Sequence, residues 1–167
     1  MRMAPTKSIT ETLIRNSIVN AVQNVCRTMM QRDATLRRTV TEPAPVSPFN
    51  MMVNVGFAGE ANGVVYLCLS DDFALLATGE ILGMSPGEVE MHGFEVIKDA
   101  IGEITNMTAG GFKNQLCDVG FPCKLTVPTI VRGDDLLVVA VKGNTRHIFE
   151  FDCAGHLLTA DIQLKIE

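Results

Sequence analysis

The stretch Met91 to Leu116, MHGFEVIKDAIGEITNMTAGGFKNQL, constrains this chain more than any other. At about 100° per residue its side chains sort into two faces, which predicts one long amphipathic helix. Phe94, Ile97, Ile101, Ile104, Thr108 and Gly111 form a core stripe, and Glu95, Asp99, Glu103, Asn106 and Lys113 lie opposite. A helix with such a stripe must bury it against a second layer. Glu103 and Asn106 stand one turn apart on the polar face, so they can act on the same object. Gly102, Ala109 and Gly110 surround Asn106 at one-turn spacings and leave it unscreened. Each glycine inside a helix costs about 1 kcal/mol relative to alanine. A helix tolerates that where something must approach its backbone closely.

The elements on either side supply that second layer. Ser8-Ile9-Thr10-Glu11 reads as a capping box opening a first helix. Its stripe is Ile14, Ile18, Ala21, Val25 and Met29, with Val22 and Cys26 alongside, and it ends near Met30 to Gln31. Residues 39–48, TVTEPAPVSP, form an extended, proline-rich connector within one domain, because the first helix cannot bury its stripe alone. Met51 to Ala58 alternates Met51, Val53, Val55 and Phe57 on one side. It forms a hairpin with Gly63 to Ser70 across the turn Gly59-Glu60-Ala61-Asn62. Ser70 caps a helix over Phe73 to Leu82 that stops at Gly83. Met84 to Gly87 then turns the chain into the central helix. Lys124 to Val131 reads as a strand that Pro128 confines to an edge or a bulge. Leu136 to Val141, Arg146 to Phe151 and Leu158 to Ile166 complete four strands. In the last, Leu158, Ala160, Ile162, Leu164 and Ile166 alternate with Thr159, Asp161, Gln163 and Lys165, predicting one buried and one wet face.

This order predicts an α/β (α+β) two-layer fold over residues 1–167. Long helices pack on one side of a single, largely antiparallel mixed sheet, with a helix-strand-strand pseudo-repeat. Hydrophobic residues make up 47%, enough for a substantial core. The net charge of −5 argues against a general nucleic-acid binder. Residues 1–42 are more basic than the rest, and a solvated first helix accounts for that. No apolar run approaches the roughly 20 residues that span a bilayer, and MRMAPTKSITETL lacks a signal-peptide pattern, so a cytoplasmic protein with no membrane partner is expected. The five cysteines are scattered and read as reduced core residues. His92, His147 and His156 show no metal-ligand spacing. G-x-S-x-G, G-x-x-x-x-G-K-[ST] and H-E-x-x-H are all absent.

The string Asp99-Ala100-Ile101-Gly102-Glu103-Ile104-Thr105-Asn106-Met107-Thr108-Ala109-Gly110-Gly111 resembles the signature helix of the CheX/CheC/FliY chemotaxis phosphatases, and is most similar to CheX. Those proteins carry Glu-x-x-Asn followed by Met and a Gly-rich turn of helix, and hydrolyse the aspartyl-phosphate of the response regulator CheY. The resemblance implies a CheC-like two-layer fold across essentially the whole chain and pairing as a homodimer through the sheets. It implies that Asn106 orients the attacking water and that Glu103 engages a lysine in the regulator's active site. It places the Mg2+ ion and the phosphorylated aspartate on the regulator, so the chain needs no cofactor or metal of its own. CheC-like members carry a second Glu-x-x-Asn on the repeated helix. Here every glutamate except Glu103 lacks an asparagine three residues on, so one site per chain is expected, as in CheX. Phe112 departs from the family, where small or polar residues are common.

The chemistry asked of these residues is modest. Phosphoryl transfer passes through a loose transition state, so positioning and charge stabilisation matter more than base strength. A carboxamide oxygen that accepts one water hydrogen fixes the line of attack. A Glu and an Asn on a surface helix are ordinarily just solvated. The small residues around Asn106, the longer string and the order of elements carry the functional reading. Asp99 reads as a surface residue. The rival reading is a non-catalytic module that binds a receiver domain or a twin subunit through the same helix. A weaker one is a small-molecule-binding domain.

Overall fold

The computed structural model of the chain describes residues 8–40 and 49–165. Helix α1 (Glu11–Val25) opens at Thr10, whose hydroxyl accepts from the Leu13 amide at 3.1 Å. The cap is thus Thr10 and not Ser8, two residues later than the capping box suggests. A π-helical turn (Cys26–Met30) closes the helix, with Gln31 in the left-handed region. The wider turn shifts the phase of the stripe by one residue. Met30 is therefore buried where the 3.6-residue period points to Met29.

Strand β1 (Ala34–Val40) follows, and sequence reading missed it. Of the connector, residues 41–48 lie outside the described residues. Strands β2 (Met51–Gly59) and β3 (Gly63–Leu69) form the expected hairpin, and Met51, Val53, Val55 and Phe57 are all buried. Helix α2 (Asp71–Leu82) is capped by Ser70 and ends at Gly83 with φ 69°. Both positions match the sequence reading.

The central helix needs two corrections. Met91 and His92 belong to a separate short helix, α3 (Pro86–His92), capped by Ser85. Gly93 adopts φ 83° and ψ −176°, and the chain turns there into α4 (Phe94–Asp118). A left-handed φ ends a helix, and glycine adopts it without a Cβ clash. Along α4 the core stripe is Ile97, Ile101, Ile104, Thr108, Phe112 and Leu116, flanked by Ala100, Thr105 and Ala109. Phe112 is fully buried, edge-on to Phe57 with ring centroids 5.7 Å apart. It is a core residue rather than a change to the partner-facing surface.

Strands β4 (Cys123–Leu125), β5 (Thr129–Arg132), β6 (Asn144–Cys153) and β7 (His156–Lys165) complete the sheet. The order is β1-β6-β7-β3-β2-β4, with β5 also pairing β2, and every pairing is antiparallel. The pseudo-repeat is visible in this order. Each half is a helix, an outlying strand and a hairpin: α1-β1-β2-β3, then α4-β4/β5-β6-β7. Each outlying strand pairs with the other half's hairpin, β1 on β6 and β4/β5 on β2, while β3 and β7 meet at the centre. Helices α1 and α4 lie side by side. At their crossing a Cβ on Gly111 would sit 3.2 Å from that of Ala21, so glycine there sets the closeness of the helices.

Two expectations about the other face of the sheet fail together. Leu136 to Val141 is not a strand, and Thr159, Asp161 and Gln163 of β7 are buried rather than wet. The run instead lies as a strap against those polar residues. Gln163 Nε2 donates to the Val139 carbonyl at 3.0 Å, and Gln163 Oε1 accepts from the Val141 amide at 2.8 Å. Arg146 Nη2 donates to the Val138 carbonyl at 2.9 Å and pairs with Asp161 at 2.7 Å. Burial raises the Asp161 carboxyl above its ordinary value, and the Arg146 guanidinium only partly offsets that.

Candidate active site

Helix α4 positions Glu103 and Asn106 because its stripe, from Ile97 to Leu116, is anchored under the helix layer and leaves their side outermost. Glu103 and Asp99 are exposed, and Asn106 is half-buried. Among the described residues none of the three side chains has a hydrogen-bond or ion-pair partner. All three line an open groove of about 280 Å³, together with Lys98 and Gly102 of α4. Val53 of β2 contributes as well, and Pro128 and Ile130 form the opposite wall. The structure therefore brings Glu103 and Asn106 together, adds Asp99 to them, and leaves both polar tips free to meet another molecule.

The glycines divide by role. A Cβ on Gly102 would meet nothing within 4 Å, so its absence opens space beside Glu103 and Asn106. A Cβ on Gly110 would only reach Leu125 at 4.0 Å. Ala109, in contrast, is fully buried and opens no space at the surface. Of the three small residues, glycines 102 and 110 are the ones that reach the surface.

The wall of the groove comes from an edge strand that Pro128 breaks in two, as its position suggested. Before the break, the Thr126 amide donates to the Gly56 carbonyl, and its hydroxyl accepts from the Gly56 amide, both at 2.8 Å. After it, Arg132 stacks over Phe94 with its guanidinium carbon 4.9 Å from the ring centroid. The same guanidinium reaches Asp71 at 3.4 Å. Arg132 thereby ties the wall to the first turns of α4 and α2. Sequence reading missed Lys98, Pro128, Ile130, Val53 and Arg132 as parts of the site. Only Pro128 carried a local signal, and that signal spoke of strand geometry.

Among the described residues no group of three His, Cys, Asp or Glu side chains is placed to hold a metal ion. All five cysteines are free, and only Cys117 is not buried. Among the described residues no helix is long and apolar enough to cross a membrane.

Residues 51–152, more than half of the chain and including Glu103 and Asn106, match the family described as chemotaxis phosphatase CheX. A protein named CheY-P phosphatase CheX, from Thermotoga maritima, is 26% identical over 126 residues, 75% of this chain and 79% of that one. A CheC-like superfamily protein from Shewanella sp. PV-4 superposes with a TM-score of 0.82 at 20% identity, covering 94% of this chain and all of that one. The CheX of a CheX–CheY–BeF3–Mg2+ complex from Borrelia burgdorferi gives 0.77 at 19% identity, covering 92% of this chain and 98% of that one. At these identities the solved structures establish the fold.

Proposed function

The chain belongs to the chemotaxis phosphatase CheX family, and from that premise we propose that it hydrolyses the aspartyl-phosphate of a CheY-type response regulator. The observation that carries this reading is the open groove in which Glu103 and Asn106 stand one turn apart without a partner of their own. A phosphatase acting on another protein must insert its groups into that protein's active site, so they have to be outermost and unpaired. The names of two similar proteins point to the same substrate: one is a CheY-P phosphatase, and the other is complexed with CheY.

In the proposed step the Asn106 carboxamide oxygen accepts a hydrogen from one water and aligns it with the phosphorus. A P–O bond forms to that water as the P–O bond to the regulator's aspartate breaks. The aspartate leaves as a carboxylate, and the water's proton goes to the departing phosphate. Glu103 accepts from a lysine of the regulator, which fixes the register of α4 in the foreign site. The regulator supplies its own Mg2+ to neutralise the phosphoryl oxygens. Because the transition state is loose, a positioned amide with no base beside it is sufficient.

Asn106→Ala tests the catalytic role. Phosphate release from the phosphorylated regulator should be lost while binding survives, and an Asn106→Ala protein as active as wild type would rule the mechanism out. Stable binding by wild type with no acceleration of release would instead favour a non-catalytic receiver-binding module.

We further infer a cytoplasmic homodimer. Both sheet edges are interrupted, β1 by a register shift between Leu36 and Arg38 and β4/β5 by Pro128, and such breaks oppose edge-to-edge pairing. Among the described residues the strap offers an apolar surface for self-association, since Leu137, Val139 and Val141 are all exposed within a few residues of one another. Sedimentation of wild type and Val139→Asp measures this: a dimer that Val139→Asp dissociates supports it, and a wild-type monomer refutes it.

A further inference from the structure

Next to the groove, Val127 stands 83% exposed between Leu125, which packs toward Gly110 of α4, and Pro128, which lines the groove. We propose that Val127 is the apolar contact that seats the phosphorylated regulator over Asn106, a specificity-determining residue that sets KM and leaves kcat alone. This rests on the phosphatase reading above and adds the way in which the partner is held.

Three observations carry it. The first is composition across the groove. The α4 side offers Lys98, Asp99, Gly102, Glu103 and Asn106, none of them a large apolar side chain. Polar rims give orientation, but affinity concentrates in a few apolar anchors near the centre of an interface. The edge strand opposite is where such an anchor can stand, and Val127 is its most exposed apolar residue.

The second observation is stiffness. Thr126, immediately before Val127, is clasped to Gly56 by two hydrogen bonds of 2.8 Å, and Pro128 immediately after it has a fixed φ. Glycine at 56 leaves room for the clasp, since a Cβ there would sit 3.2 Å from both Thr126 Oγ1 and Cγ2. Beyond Pro128, Arg132 fastens the strand to Phe94 and Asp71. A β-branched side chain on a braced bulge loses little further freedom when a partner covers it, which favours binding.

The third is continuity with the site. Pro128 borders the same groove as Asn106, so a molecule large enough to present a phosphoryl group to Asn106 also covers the adjoining bulge. A protein partner fits that description and free acetyl phosphate does not. The occupant proposed is therefore the regulator itself, presenting an apolar residue beside its phosphorylated aspartate.

The test uses the full chain with Val127→Asp, Val127→Ala and Val127→Ile. Steady-state phosphate release from the phosphorylated CheY-type regulator gives kcat and KM. Binding of the same regulator, activated with beryllofluoride and Mg2+, gives Kd without turnover. Val127→Asp is expected to raise KM and Kd by about tenfold or more, the effect of losing one buried valine and facing a carboxylate at the interface. Its kcat should stay within about twofold of wild type, as for an interaction made equally in ground and transition states. Val127→Ala should fall between, and Val127→Ile should match wild type. Unchanged KM and Kd in Val127→Asp overturn the proposal. So does a change in sedimentation mass with KM and Kd unaltered, which would assign the bulge to self-association. If wild type binds the activated regulator but releases no phosphate, the catalytic reading falls, and the Kd of Val127→Asp still decides the contact.

Discussion

Helices α1 and α4 hold equivalent places in the two halves of the fold, yet only α4 is equipped for chemistry. Both bury a stripe against the same sheet, and both lie along the same crossing. Helix α1 even exposes three asparagines, Asn16, Asn20 and Asn24. The residues one turn before them are Leu13, Ser17 and Ala21, and the last two are buried. No carboxylate is therefore available to set the register of those amides. An exposed asparagine on a well-anchored helix is not enough. The site in α4 also needs a carboxylate one turn earlier, a missing side chain at 102 and an edge strand standing opposite.

The largest effect expected from this contrast is on turnover. Asn106→Ala should lower phosphate release on the order of 100-fold or more, as loss of one preorganised polar group does elsewhere, with unfolding unchanged. Asn20→Ala, in the equivalent helix, should leave turnover at the wild-type level. Comparable losses in both variants would dissolve the asymmetry. Next in size is Gly111→Leu, which forces α4 away from Ala21 and should destabilise the fold by about 1–3 kcal/mol. Denaturant midpoints measure it, and an unshifted midpoint would show that the crossing is looser than 3.2 Å implies. Glu103→Gln keeps the shape but removes the charge. It should lower kcat/KM by about tenfold, because hydrogen bonds to charged groups are the stronger ones. If kcat/KM holds, Glu103 is merely solvated. The smallest effect separates stability from function. Gly102→Ala meets no neighbour and should raise stability by up to about 1 kcal/mol. The same methyl protrudes into the groove that the regulator must enter, so activity should fall while the midpoint rises. A variant both more stable and fully active would mean that glycine there serves no approach.

Legibility in the sequence followed the range of the forces involved. The caps at Ser70 and Gly83, the hairpin of Met51 to Leu69 and the stripe from Ile97 to Ile104 depend on neighbours within a turn or two, and the structure holds all of them. The break at Gly93 was also local, but a helical pattern on both sides concealed it. Strand β1 reads ATLRRTV, whose paired arginines resemble a solvated surface; it is a strand because β6 lies beside it. Leu136 to Val141 errs in the opposite direction. LLVVAV has strand composition, but a strand needs a partner edge. The edges of this sheet are held by β1 and by β4/β5, so the run lies across a face instead. The Arg146–Asp161 pair and Gln163 then become buried, which alternation along β7 alone had assigned to water.

The amide and the carboxylate on α4, their spacing and the helix that presents them were written into the order of residues, because helical periodicity is enforced by bonds between near neighbours. The groove was not. Val53, Pro128 and Ile130 reach Asn106 only through the pairing of β5 with β2 beneath α4. Which distant segments meet is settled by the competition of all strands for edges and of all stripes for one core, and no window along the chain contains that competition.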